Sequence, residues 1–381
     1  MGISEPPKFS RRVAVAGTAA AVAVGARATG SAAVEPAAEP LRLAAAPRHG
    51  VRAVDVPLGG RLRRSSAGGF RTGTLAARSF SLFGLTWTGG EARLRVRFRI
   101  DGRWAGWREP PTIADAPDPD SEEGDGSVVG TDLLWVPGAD AVQVASSGPP
   151  PRGLTMVLME PGRDPVSVLL FARRAGRPRR TLRPDMLSRK AWGANEGWRS
   201  GSPRYNRTIQ QVHVHHTVNG NGYSRADVPG IIRGIYRYHT KNLGWSDIGY
   251  NFLVDRFGRI WVGRAGGPHR PVRGAHTLGF NSTSTGVALI GNSDARRQDK
   301  VVETAIVRLA AWKLHQYGRN PNGTVKVYSH GSDRYPAGRT VRLPVIDGHR
   351  DTNETACPGR HLYARLPNIR RRAADRIRRL T

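Results

Sequence analysis

The residue pattern changes at a basic linker, and this change restricts the possible folds more than any other feature of the chain. The linker is predicted at residues 173–183, and its first eight residues contain five arginines together with Gly176 and Pro178, a composition typical of a connection between domains. Residues 41–172 show strand patterns and almost no helical periodicity, whereas residues 184–381 combine strands with amphipathic helices. The sequence therefore predicts two domains, the first all-β and the second α/β.

The first domain is predicted to resemble a β-sandwich. Apolar residues alternate with arginines over residues 94–100, which indicates a strand with one buried face and one arginine face. Further strands are predicted at residues 80–87, 141–145 and 154–158, and clusters of glycine, proline and aspartate separate them, including an acidic loop at residues 114–126. Trp104 and Trp107 follow the strand at residues 94–100, and they would either stack on sugars or pack at the edge of the domain.

The second domain is predicted to contain a mixed central β-sheet flanked by helices. Apolar segments indicate strands at residues 211–218, 250–255, 259–264 and 285–290, the middle two forming a hairpin. Helical spacing of apolar residues indicates helices at residues 227–242, 303–317 and 361–380. The last of these helices is rich in arginine, and its arginines would form either a contact surface or a solvated face.

Residues 1–33 are predicted to be a signal peptide of the twin-arginine type. Arg11 and Arg12 precede an apolar run at residues 13–24, and small residues follow it. The run is shorter than the roughly 20 apolar residues that a membrane-spanning helix needs. We therefore expect cleavage near Ala28 or Ala32, secretion of the mature protein, and no transmembrane segment after processing.

The net charge indicates an anionic partner. The chain has 59 Lys and Arg against 30 Asp and Glu, a formal charge of +29, and residues 184–381 carry 33 of the basic but only 13 of the acidic residues. Nucleic acid is a poor candidate because the protein is predicted to be exported and shows no interleaved aromatic and basic pattern. Anionic cell-wall polymers fit the charge better.

Histidines and the single cysteine concentrate in the second domain. Ten of the eleven histidines and Cys357 follow residue 212. His213 and His215 would share one face of a strand, and His216 would take the other. His349 and Cys357 are eight residues apart in a loop that can bring both side chains to one point. Two histidines and a cysteine suit Zn²⁺ and leave a fourth position for water or substrate, although the spacing alone is also compatible with buried polar residues.

Six sequence blocks follow one another through this domain. They are SRKAWGA at residues 188–194, HHT at 215–217, DIGYNFLV at 247–254, GAH at 274–276, NSTSTGVALIGN at 281–292 and HRDTNETACPG at 349–359. In this order they resemble the peptidoglycan recognition protein family, which is also the type 2 N-acetylmuramoyl-L-alanine amidase family. The resemblance covers about half of the chain.

The resemblance implies a zinc amidase with His215, His349 and Cys357 as metal ligands. Family members without amidase activity lose one of these ligands, commonly the cysteine, and this chain keeps all three. The implied reaction is hydrolysis of the amide between N-acetylmuramic acid and L-alanine of peptidoglycan, with Tyr250 and Thr355 at the other catalytic positions. The alternative is a non-catalytic protein that binds peptidoglycan. Either activity implies a secreted protein associated with the cell wall.

Further residues are assigned to the substrate groove or to proton transfer. The residues expected to line the groove are His276, Trp245, Arg264, Asn281 and Arg350, the last of which could instead support the metal ligands. His213 would act as a proton relay or pack in the core. No general base is evident, although Asp347 and Glu354 flank the predicted ligands.

Overall fold

A computed structural model of the chain describes residues 39–44, 50–66, 68–123, 127–162 and 181–381. The predicted signal peptide and residues 173–180 of the predicted linker lie outside the described residues. From Glu39 onward the chain forms one compact unit, so the described parts of the two predicted domains pack against each other. In the described ranges no helix is both long enough and apolar enough to cross a membrane.

The first domain consists of antiparallel strands. In the described residues these are β1 (Arg52–Pro57), β2 (Leu62–Arg64), β3 (Phe70–Thr72), β4 (Leu75–Trp87), β5 (Leu94–Ile100), β6 (Arg103–Trp104), β7 (Val129–Gly130), β8 (Leu134–Ser146) and β9 (Thr155–Glu160). They pair in the order β1-β9-β4-β8-β3-β2, while β5 pairs with β8 and β6, and β7 pairs with β4. Phe83, Phe98 and Leu158 are buried in the core. The predicted all-β character is confirmed.

The two tryptophans after β5 pack against the arginine face of that strand. The guanidinium carbon of Arg97 lies 4.9 Å from the ring centres of both Trp104 and Trp107. Both rings are half-buried, because the β5–β6 hairpin folds them back over the strand. This arrangement favours edge packing over sugar stacking.

The second domain has a mixed sheet with helices on both faces. Its elements are α1 (Arg189–Trp192), β10 (Gln211–His216), α2 (Val228–Arg237), β11 (Phe252–Val254), β12 (Ile260–Val262), β13 (Ser284–Leu289), α3 (Lys300–His315), β14 (Thr324–Tyr328), β15 (Thr340–Pro344), β16 (Ile346–Gly348), α4 (Arg360–Tyr363) and α5 (Leu366–Leu380). The sheet order is β12-β11-β13-β10-β16, parallel except for β12. The predicted fold class is confirmed, and β14 and β15 form a separate two-stranded ribbon.

Strand β10 separates two different environments. Val212 and Val214 pack into the core beneath α3 and α5, whereas His213 and His215, which alternate with them, point to the opposite face. That face is covered by α2 and by the first domain. The contact is close at Gly234 of α2, where an added Cβ would lie 2.2 Å from Cδ1 of the buried Leu82.

Several arginines of α5 bind other parts of the chain. Arg370 donates to the carbonyl oxygen of Ile346 at 2.6 Å, and Arg372 pairs with Glu303 at 2.6 Å. Arg376 donates to the carbonyl oxygen of Thr181 at 2.7 Å. These arginines therefore anchor the helix, which reduces the part of its basic face that is left for a contact surface.

Candidate metal centre

Two neighbouring parallel strands position the predicted metal ligands. His215 lies near the end of β10, and His349 follows β16, which pairs with β10 through Val212–Val214. The chain then turns through a short 3₁₀ helix (His349–Asp351), and the backbone N–H of Arg350 donates to the carbonyl oxygen of Cys357 at 2.9 Å. This bond closes the loop and returns the thiol to the histidines.

His215, His349 and Cys357 form a compact set of nitrogen and sulfur donors. Their ligand atoms all lie within 4.8 Å of one another, and all three side chains are buried. Sγ of Cys357 is 3.7 Å from Nδ1 of His215. Among the described residues, neither ring nitrogen of His349 has a hydrogen-bond partner. Buried polar atoms are normally satisfied, so a nitrogen of this ring is free to bind a metal.

Burial keeps both histidines neutral. It lowers the pKa of His349 to about 3 and the pKa of His215 well below its usual value, and in each case a neighbouring histidine lowers it further. Neutral imidazole is the form that binds a metal. Burial also raises the pKa of the Cys357 thiol, and the negative charge of Asp115 raises this pKa further. A bound cation would reverse this effect on the thiol, because coordination favours the thiolate.

His276 supports His215 from behind. Its Nδ1 lies 3.1 Å from Nε2 of His215, which leaves Nδ1 of His215 facing the thiol. The ring of His276 is fully buried and lies against Gly286, where an added Cβ would be 2.4 Å from its Cγ. We expected His276 at the surface of the groove; the structure instead gives it a position that orients a ligand.

Tyr250 and Thr355, the predicted catalytic pair, both lie beside the ligands. Tyr250 is 2% exposed, and its ring centre is 5.7 Å from that of His215. The hydroxyl oxygen of Thr355 accepts a hydrogen bond from the backbone N–H of Cys357 at 3.2 Å. Because this bond uses only the oxygen, the hydroxyl hydrogen of Thr355 remains available for donation.

An aspartate of the first domain lies against two of the three ligands, and no sequence motif indicated it. Oδ1 of Asp115 is 3.1 Å from Nδ1 of His215 and 3.5 Å from Nδ1 of His349. Its Oδ2 accepts a hydrogen bond from the hydroxyl of Tyr250 at 2.6 Å. Burial raises the pKa of Asp115, while His349 and Tyr250 oppose this change. The only sequence signal was an acidic loop in a strongly basic chain.

Three residues predicted to bind substrate lie beside the same loop. We use the name acidic segment for residues 113–123, which are Ile113 and the described residues of the acidic loop. Arg264 pairs with Glu123, and Nδ2 of Asn281 donates to Oδ1 of Asp118 at 2.9 Å. Trp245 lines a cavity of about 510 Å³ beside the segment. In this structure these three predicted residues therefore face the acidic segment of the same chain.

The remaining predicted residues lie farther from the centre of the ligand cluster. Arg350 donates to the carbonyl oxygen of Ala356 and stacks over the Tyr363 ring at 4.7 Å, which fits support of the ligand loop better than substrate contact. His213 pairs with the fully buried Asp347 at 2.5 Å. Glu354 is exposed. Neither carboxylate, Asp347 or Glu354, is among the groups around the three ligands.

The part of the chain that contains the three ligands is similar to known proteins. Residues 205–360, which contain the three ligands, match the Amidase_2 family model, described as N-acetylmuramoyl-L-alanine amidase. Residues 32–165 match a model described as Rv3811 N-terminal galactose-binding domain-like. Peptidoglycan-recognition protein 1 of Holotrichia diomphalia is 33% identical over 187 residues, which is 49% of this chain and 81% of that protein.

Two further similar proteins are also named as peptidoglycan recognition proteins. Peptidoglycan-recognition protein SC2 of Drosophila melanogaster is 27% identical over 178 residues, or 47% of this chain and 82% of that protein. The solved structure of wild-type Drosophila PGRP-LB is 27% identical, covers 48% of this chain and 92% of its own, and has a TM-score of 0.37. These comparisons assign no role to Asp115 or to the acidic segment.

Proposed function

Because this chain belongs to the peptidoglycan recognition protein family, we propose that it is a zinc-dependent N-acetylmuramoyl-L-alanine amidase. The proposed reaction hydrolyses the amide between the lactyl group of N-acetylmuramic acid and L-alanine of the stem peptide. The observation that carries the proposal is the buried set of His215, His349 and Cys357. All three lie within the part of the chain that matches the amidase model.

The donor set favours zinc over harder cations. Imidazole and thiolate are typical zinc ligands, whereas magnesium and calcium prefer oxygen. When bound, zinc supplies Lewis-acid chemistry, which polarises a carbonyl group and makes water acidic enough to act as a nucleophile near neutral pH. His276 would hold the ring of His215 so that Nδ1 stays directed at the ligand cluster.

Tyr250 is suited to stabilise the negative charge that develops on the amide oxygen. Its hydroxyl already donates to a carboxylate oxygen in front of the ligands, so the donor points to where a substrate oxygen would lie. Burial and Asp115 raise the pKa of Tyr250 well above its usual value, which keeps the hydroxyl protonated. Thr355 would add a second donor from the ligand loop. Such fixed donors stabilise the transition state more than the ground state.

We also propose that the protein acts outside the cell and stays close to the wall. The predicted twin-arginine signal supports export, and the formal charge of +29 supports attraction to anionic wall polymers. Arginines that do not anchor α5 would contribute to this attraction. The charge would thus raise the concentration of the enzyme near peptidoglycan.

Digestion of purified muropeptide, followed by mass spectrometry, tests the proposed reaction. We expect free peptides that begin with L-alanine and sugars that end in a lactyl carboxyl group. Cys357→Ala should yield neither product, because it removes one of the three ligands. Binding of muropeptide by the wild-type protein without release of either product would instead identify a non-catalytic recognition protein.

A further inference from the structure

The acidic segment leaves the first domain and crosses onto the second. Its first residue, Ile113, is still tied to the first domain, because its N–H donates to the carbonyl oxygen of Gly130 at 3.0 Å. From Asp115 to Glu123 the segment then contacts residues of the second domain. It carries five acidic residues and no basic residue, facing a domain with a large excess of positive charge.

The carboxylate of Asp115 lies where a reacting group would be held. One oxygen faces Nδ1 of both His215 and His349, and the other accepts the hydroxyl hydrogen of Tyr250. The proposed reaction releases a lactyl carboxylate at this position. Asp115 therefore presents the same chemical group as the product, and its side chain is only 5% exposed.

The rest of the acidic segment is bound by the groove residues. Oδ2 of Asp118 accepts from Arg273 at 2.6 Å, and Oδ1 accepts from Asn281. Asn281 also donates to the carbonyl oxygen of Ala116 at 3.0 Å. The Glu123–Arg264 pair is buried, with side-chain exposures of 8% and 7%. A stem peptide could not use these donors while the segment is in place.

The segment is held by polar contacts more than by apolar packing. The cavity beside Trp245 also borders Pro117 and Pro119, so this part of the segment is not packed tightly against the second domain. Ion pairs with a polar ligand could replace the ion pairs that Arg273 and Arg264 make with the segment. These are the properties of an occupant that can be displaced.

We propose that Asp115 is the fourth protein ligand of the metal and that the acidic segment occupies the muropeptide groove, so that substrate must displace it. The inference rests on the proposed amidase function, because it assigns an occupant to the same site. His215, His349, Cys357 and Asp115 then form a complete set of four ligands, as in zinc sites without an open position. The first domain thus supplies part of the metal site of the second.

Metal binding tests the role of Asp115 independently of catalysis. Zinc affinity is measured by competition with a chromogenic chelator, and the ligand set by the visible absorption of the Co²⁺-substituted protein. We expect Asp115→Ala to lower zinc affinity at least about ten-fold, since even outer partners of ligands contribute 10–100-fold, and to change the Co²⁺ spectrum. The matched control is Asp120→Ala, because Asp120 belongs to the segment but, among the described residues, forms its ion pairs with Arg273 and His330 near the surface.

Occupation of the groove is tested by hydrogen exchange in the wild-type protein. With saturating soluble muropeptide during turnover, we expect amides of residues 113–123 to exchange at least about ten-fold faster, while amides of β4 stay unchanged. Unchanged protection of the segment, or a Co²⁺ spectrum of Asp115→Ala identical to that of the wild type, would overturn the inference. If the wild-type protein bound no zinc and cleaved no muropeptide, the proposed function itself would fail instead.

Discussion

Tyr250→Phe separates two roles of one hydroxyl. The substitution keeps the ring that packs near His215 and removes only the donor to Asp115. While the acidic segment occupies the groove, the hydroxyl stabilises the segment through a hydrogen bond to the carboxylate of Asp115. In the reacting complex, the same hydroxyl would donate to the substrate oxygen. We therefore expect the variant to fold and to bind zinc, but to change both kcat and KM.

The two effects have different expected sizes. Loss of a transition-state donor costs about 2.7–4 kcal/mol, so kcat should fall about 10²–10³-fold. Loss of a hydrogen bond to a charged group costs about 1.5–3 kcal/mol, which favours opening of the segment by up to about 10–150-fold. Because substrate must first displace the segment, KM should fall as well. The decrease in kcat/KM is then smaller than the decrease in kcat.

Initial rates with soluble muropeptide measure both constants. The same substitution is made in an Asp115→Ala background, where no carboxylate competes for the hydroxyl. There we expect Tyr250→Phe to lower kcat by a similar factor but to leave KM nearly unchanged. The wild type, the two single variants and the double variant together form a double-mutant cycle. Zinc content and the thermal unfolding midpoint serve as controls. A kcat close to that of the wild type would remove Tyr250 from the mechanism.

Three further perturbations test other parts of the account. Cys357→Ala should reduce the zinc content from about one ion per chain to none and abolish activity. A chelator should inactivate the wild-type protein, and added Zn²⁺ should restore its activity. Zinc-free protein with full activity would contradict the metal site. Replacement of Arg11 and Arg12 by lysine should leave the precursor in the cytoplasm, and normal export of the folded variant would indicate the general route. Gly234→Ala should lower the free energy of unfolding by about 1–3 kcal/mol, since the added Cβ would meet Leu82 at 2.2 Å; an unchanged unfolding curve would show that α2 can shift.

Periodic segments of the fold were predictable from sequence, and irregular ones were less so. Residues 94–100 were predicted as a strand with the bounds that β5 has, because their alternation has a period of two. The helix predicted at residues 227–242 instead ends at Arg237 and continues as a π-helical turn (Tyr238–Asn242). In that turn Tyr238 donates to the carbonyl oxygen of Leu85 in the first domain at 2.8 Å. Helical periodicity contains no information about such a contact.

Some residues of the candidate metal centre were likewise predictable from sequence, and others were not. His215, His349 and Cys357 lie in local motifs at the ends of neighbouring strands, so sequence spacing was sufficient to group them. The position of His276 behind His215 depends on the space left by Gly286 in another strand. Asp115 is 100 residues before the first ligand, in a loop without periodicity. Only the three-dimensional packing of one domain on the other reveals that it belongs to the site.

An occupant within the same chain has a thermodynamic advantage over free substrate. Because the acidic segment is tethered at Gly130, it competes at an effective concentration in the millimolar range, and dilute soluble muropeptide must overcome this competition. The Asp118–Arg273 pair is partly exposed on the arginine side, so salt and other anions weaken it. A wall dense in stem peptides and anionic polymers supplies both a high local substrate concentration and competing negative charge. The arrangement would therefore favour cleavage at the wall over cleavage of isolated muropeptides in solution.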